Sequence, residues 1–177
     1  MKWLRSVVAV VLALLLSISI VSLIEGVGHN VFPPSEEVRE VMRPIGEMTD
    51  MGEKIVAVRA EMARPEVREK FLRQPFTVFV PPLFSWVLAG MMGSWAAGLI
   101  ARRQAKTHGW VAGGLFLFAT LANLLSLPHP IWVWVVTLTL VPTAIFLGGS
   151  LAEVRLGEAD GPPSRLDDQL DASAKAV

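Results

Sequence analysis

The chain has no cysteine in its 177 residues. That excludes disulfides, cysteine-ligated zinc or iron–sulfur centres and thiol nucleophiles, and it leaves the redox compartment open. Net charge is lacking too: 16 basic residues balance 16 acidic ones, so no overall field draws in nucleic acid. Only 18% of the residues are charged, against about 25% in an average soluble domain. Familiar catalytic motifs are also missing. The sequence holds no nucleotide-binding glycine loop, no Gly-x-Ser-x-Gly elbow and no pair of acids deep in an apolar stretch. No internal repeat is visible.

What remains is strongly apolar, at 53% of the chain, and it is gathered into four stretches. These run roughly over Trp3–Ile24, Pro81–Ala101, Trp110–Leu127 and Ile131–Leu151. Each is about 18–22 residues, enough for an α-helix to cross hydrocarbon about 30 Å thick. In hydrocarbon every backbone N–H and C=O must be paired internally, so such runs are helices. The expected fold class is therefore all-α, an integral membrane four-helix bundle with a helical extramembrane segment between spans 1 and 2. In residues, transmembrane helix 1 covers 1–24, an extracytoplasmic helical segment 25–80, and the other three spans 81–101, 110–127 and 131–151. A disordered cytoplasmic tail follows over 152–177. The first run, from Val7 to Ile24, exceeds a signal-peptide core of about 7–15 residues and reads as a retained anchor.

Charge between the spans orients the bundle. Lys2 and Arg5 precede the first span, and the purely basic Arg102-Arg103-Gln104-Ala105-Lys106 follows the second. Ser126-Leu127-Pro128-His129-Pro130, between the third and fourth, has neither lysine nor arginine. The positive-inside rule then puts both termini in the cytoplasm. Arg68, Lys70 and Arg73 oppose this but are diluted by Glu66 and Glu69. The basic connection should lie near anionic headgroups, and His108 beside it reads as a solvated loop residue.

In the polar segment, Phe32-Pro33-Pro34 ends the first helix, because proline donates no N–H. Ser35 looks like an N-cap followed by Glu36 and Glu37, and Pro44 and Gly46 interrupt what they start. A second helix over Asp50–Ala63 carries a stripe of Met51, Ile55, Val58 and Met62, and a third runs from Pro65 to Leu72. The segment is expected to pack as a helical hairpin on the outer ends of the spans; the alternative is an amphipathic layer in the headgroups. Met42, Met48, Met51 and Met62 raise the thought of Cu(I), although methionine at helical spacing usually packs.

Within the spans, Gly93 and Ala97 form a small-xxx-small pair, read here as packing inside one chain. Pro142 breaks the hydrogen bond to the Leu138 carbonyl, with Thr137, Thr139 and Thr143 nearby to re-satisfy the backbone. Trp3, Trp86, Trp110 and Trp132 sit near span ends as interface anchors, while Trp95 and Trp134 lie deeper.

One constellation could carry chemistry. If the first helix continues past Ile24, Ser19, Ser22, Glu25, Gly26 and His29 share a stripe, and Glu25 meets His29 four residues on. The same end receives His129 from Pro128-His129-Pro130, and Asn123 and Ser126 from the third span. Glu25, His29 and His129 are candidate ligands for a divalent transition metal, the one cofactor this chain suggests. Together with Asn123 they are also candidates for an ion or proton site, since ionisable residues near spans are costly. The bland alternative is interface residues paired with one another, with carbonyls or with water.

Glu25…Gly28-His29…Pro33-Pro34 closing the first span, Arg102-Arg103 after the second, and Leu127-Pro128-His129-Pro130-Ile131-Trp132 before the last form a pattern. It resembles that of small, functionally uncharacterised bacterial four-span inner-membrane proteins. The resemblance covers the spans, roughly two thirds of the chain, and implies the four-span architecture and a bacterial inner membrane but no activity. Three functional readings follow. The first is a structural or accessory membrane protein, not an enzyme, whose partners are the lipid bilayer and a membrane-protein partner or further copies of itself. The second is a transporter or channel component using the ion or proton site. The third is a metal-binding membrane protein or enzyme.

Overall fold

In a computed structural model, residues 2–102 and 104–159 are described, and they fold into seven α-helices and one short 3-10 turn. Four helices are long and apolar enough to cross a membrane, over Trp3–Val31, Phe76–Ala101, Ala105–Ser126 and Ile131–Gly157. This is an all-α, multi-pass membrane bundle. Helix α1 spans Lys2–Val31. The small helices α2 (Glu36–Glu47), α3 (Met51–Met62) and α4 (Pro65–Leu72) form a cap. A 3-10 turn, Phe76–Phe79, leads into α5 (Val80–Ala101), followed by α6 (Ala105–Ser126) and α7 (Ile131–Ala159).

Several helix ends differ from the sequence expectation. α1 does not stop at Ile24 but continues for almost two more turns until Phe32-Pro33-Pro34 breaks it. One polar residue, Glu25, ends an apolar run without ending a helix, because an α-helix pairs its own backbone. α6 begins at Ala105 rather than Trp110, so His108 is helical, and its Nδ1 donates to the Gln104 carbonyl at 3.0 Å. α7 runs to Ala159, so residues 152–159 of the expected disordered tail are helix; 160–177 lie outside the described residues.

α5 is the hub, packing against α1, α6 and α7. Its sequence explains this, since small residues on two of its faces let neighbouring backbones approach where no hydrophobic effect drives helices together. A Cβ on Gly93 would collide with Ser17 of α1, and one on Gly98 would meet Ala152 of α7 at 2.5 Å. The small-xxx-small pair thus packs within the chain. Gly148 of α7 returns the contact, lying so close to the Met91 carbonyl that no side chain fits. Buried hydroxyls lock the interfaces: Ser17 donates to the Ala89 carbonyl at 3.0 Å, and Ser94 Oγ lies 2.8 and 2.9 Å from the Gly109 and Ile145 carbonyls.

The cap closes one end. Its α4 has the expected bounds and α3 lies one residue inside them at each end, with Asp50 capping α3 by accepting from the Glu53 N–H at 2.8 Å. Pro44 does not interrupt α2, which runs through it to Glu47 and buries Val38 and Ile45. A proline inside a helix costs one hydrogen bond and some bending, which a burying apolar face can offset. Ser35 stands at the N-cap but spends its hydroxyl elsewhere. Gln74 accepts from the Ser35 N–H at 2.8 Å and donates to Ser35 Oγ at 2.7 Å. That reciprocal pair clasps the start of the cap to its end.

At the opposite end, Arg5 Nε donates to the Ile100 carbonyl at 2.8 Å, and Lys106 lies 3.7 Å from Glu153. Lys106 also sits 5.2 Å from the centre of the Trp110 ring, which stacks on Phe146. Two further expectations fail. Thr139 and Thr143 donate to the carbonyls of Val135 and Thr139, and neither turns to Leu138. Thr137 is fully buried, with no hydrogen-bond partner for its hydroxyl among the described residues. A threonine facing a helix interface cannot also reach round its own helix to a carbonyl freed on another face.

Candidate functional site

The extra turns of α1 carry Glu25 and His29 to the capped end, where α5 starts, α6 finishes and α7 starts. Gly28 decides how α1 meets α5 there, because Pro81 occupies the space a side chain would need. The contact turns Glu25 inward, half-buried, and leaves His29 exposed at the rim. Glu25 Oε1 accepts from Trp86 Nε1 of α5 at 3.1 Å and lies 3.3 Å from Ser85 Oγ, whose single hydrogen it shares with the Pro82 carbonyl at 2.8 Å. Ser85 and Trp86 are buried, Trp86 with 4% of its surface exposed. Trp86 is therefore not an interface anchor but the principal partner of the carboxylate.

Glu25, His29, Asn123 and His129 all line one cavity of about 210 Å³. The four residues brought together by sequence spacing are brought together in space. Phe79 and Trp86 form part of the wall, and Val38, Phe71 and Gln74 of the cap region close over it. Ser19 and Ser22 do not belong: both are exposed, and Ser19 donates to the Leu15 carbonyl of its own helix at 2.9 Å. A Cβ on Gly26 would meet nothing within 4 Å among the described residues, and Ser126 donates to the Ala122 carbonyl at 2.7 Å. The stripe through Ser19, Ser22 and Gly26 faces outward because α1 buries Ala9, Ala13, Ser17 and Gly28, one helical face away.

His129 lies in the short connection outside the spans. Its Nδ1 donates to the Leu127 carbonyl at 2.9 Å, and its ring lies 6.2 Å from those of both Phe79 and Trp86. Burial among these groups holds its pKa below the usual imidazole value, partly opposed by hydrogen bonds to the Leu127 and Leu124 carbonyls. It is a neutral, fixed wall residue at neutral pH. The Asn123 carboxamide makes no hydrogen bond with the described residues, and Glu25 Oε2 likewise accepts none.

Among the described residues no group of three or more His, Asp or Glu side chains comes together in a way that could hold a metal ion. Glu25, His29 and His129 share a cavity without forming such a group. Sequence reasoning missed Ser85, Trp86 and Gln74. Glu25 and Trp86 each lie about six residues inside their helix ends, a shared depth that could have paired them had those ends been known. Comparison with family models, curated proteins and solved structures finds no match.

Proposed function

We propose that this is a small membrane protein of structural or accessory type, working beside a membrane-protein partner or as a homo-oligomer. Its place is a bacterial inner membrane, with the basic end and both termini in the cytoplasm and the capped end outside. The observation that carries the reading is the packing between the chamber and the basic end. There Gly93, Gly98, Gly109 and Gly148 bring helix backbones into contact, and Ser17 and Ser94 are consumed by interhelical hydrogen bonds. A bundle closed in this way offers support and a one-sided site, not a route across.

The gathering of Glu25, His29, Asn123 and His129 favours a second reading, an ion or proton site in a transporter or channel component. The metal-dependent reading draws no comparable support from the geometry. Flux separates the first two. Proteoliposomes carrying the purified protein should show proton and cation leak no greater than protein-free vesicles, with Glu25→Gln the same. A flux above that background which Glu25→Gln abolishes would overturn the accessory reading in favour of the ion site.

A further inference from the structure

The chamber beneath the cap has a composition that bears on what it holds, whether or not the accessory reading stands. Among the described residues no lysine, arginine or aspartate lines it, so the Glu25 carboxylate is the one acidic charge they bring to it. Only Oε1 of that carboxylate is engaged, by Ser85 and Trp86. Oε2 accepts nothing from the described residues, and it is not sealed in the protein, since Thr137 Oγ1 is the buried side-chain atom left without a partner there. The Asn123 carboxamide is in the same position, half-buried, facing the same cavity and unpaired. A carboxylate presents about four lone-pair sites, and a chamber that uses two of them has acceptors to spare.

We propose that the chamber binds a small organic ammonium ion. The carboxylate supplies the opposite charge, Asn123 supplies a neutral acceptor, and Phe79 and Trp86 supply aromatic walls of the kind that attract ammonium groups. The His129 imidazole is kept neutral by burial and does not oppose the cation. A hydrated metal ion fits the same walls poorly: calcium takes 6–8 oxygen ligands, and one carboxylate with one amide falls far short. The volume, about 210 Å³, equals that of about seven waters at liquid density, room for an ammonium of ethanolamine or choline size. The chamber lies at the ends of the spans, where an ammonium is available as a free solute or as the headgroup of a zwitterionic lipid.

Titrating the full-length protein, in a detergent without ammonium groups, with choline and its neutral isostere 3,3-dimethylbutan-1-ol tests this. Calorimetry is expected to show saturable choline binding, with the isostere weaker by about ten-fold or more, the factor that about 1.4 kcal/mol supplies. Glu25→Gln should lose a similar factor for choline and nothing for the alcohol. Equal binding of the two probes, no saturable choline binding, or an unchanged Glu25→Gln would each overturn the proposal. Should Glu25→Gln fail to fold, the comparison of the two probes on the natural chain decides alone. Nanodiscs assign the source. Free-choline binding lost in phosphatidylcholine discs but kept in phosphatidylglycerol discs identifies a lipid headgroup, and binding kept in both identifies a free solute. The flux assay reads a different property, so either result leaves the other proposal to its own test.

Discussion

The two halves of this bundle are built on different principles. Towards the basic end, apart from the Trp110–Phe146 stack, helices touch through glycine, alanine and serine, and backbone meets backbone. Towards the capped end, larger side chains, Phe79, Trp86, Trp132 and His129, meet in tilted and edge-to-face pairs, and a half-buried carboxylate lies among them. Small residues allow close approach and leave no space. Aromatic rings cannot interdigitate so completely, and the chamber of about 210 Å³ lies among them. The lesson is that one end specifies the fold while the other is free to hold something.

The contrast can be broken most severely at Gly148. Gly148→Val would drive a branched side chain into the Met91 carbonyl, and overpacking of this kind costs about 1–3 kcal/mol or more where backbone must move. We expect loss of a monodisperse peak by size-exclusion chromatography. At the capped end the equivalent assault should be milder. Glu25→Leu leaves the Trp86 indole N–H without its acceptor, whereas Glu25→Gln keeps one. Thermal unfolding in detergent should rank the leucine variant below the glutamine one by about 1–3 kcal/mol. A smaller effect of opposite sign is expected at Thr137, whose buried hydroxyl is unpaired. Thr137→Val should raise stability by about 1 kcal/mol, because it removes a desolvated group and keeps its shape.

The smallest effect is a pH dependence confined to the capped end. The folded-state pKa of His129 lies below its unfolded value of 6.5, so below that pH the unfolded chain binds a proton that the native one refuses. Stability is then complete above the unfolded pKa and declines as the pH falls through it towards the folded value. Melting temperatures should show this acid-side loss, and His129→Gln should flatten it.

How far the sequence anticipated all this depended on the kind of signal. Hydrocarbon imposes length and composition on a span, so four helices were legible from apolar runs alone. Their ends were not, because Glu25 and the Lys106–Gly109 stretch change polarity without breaking a helix. Asp50 and Pro65 marked helix starts chemically and were read correctly. The candidate site was legible where spacing and chain ends converge, at Glu25, His29, Asn123 and His129. Trp86 and Gln74 were not, because a tryptophan near a span end is usually an anchor, and the 39-residue reach from Ser35 to Gln74 is tertiary. Ser19 and Ser22 were misplaced for a related reason. A helix with alanines and serines on several faces does not announce which one packs.

The absence of cysteine makes the decisive measurement clean. Single cysteines are placed at Asn123, in the chamber, and at Ala97, fully buried in the close-packed half. Sealed vesicles of known orientation are then exposed to a membrane-impermeant methanethiosulfonate from each side in turn. A one-sided chamber above a closed bundle predicts reaction at Asn123→Cys from one side only and at Ala97→Cys from neither. Reaction at Asn123→Cys from both sides, or at Ala97→Cys from either, would reveal a continuous aqueous route and contradict the account.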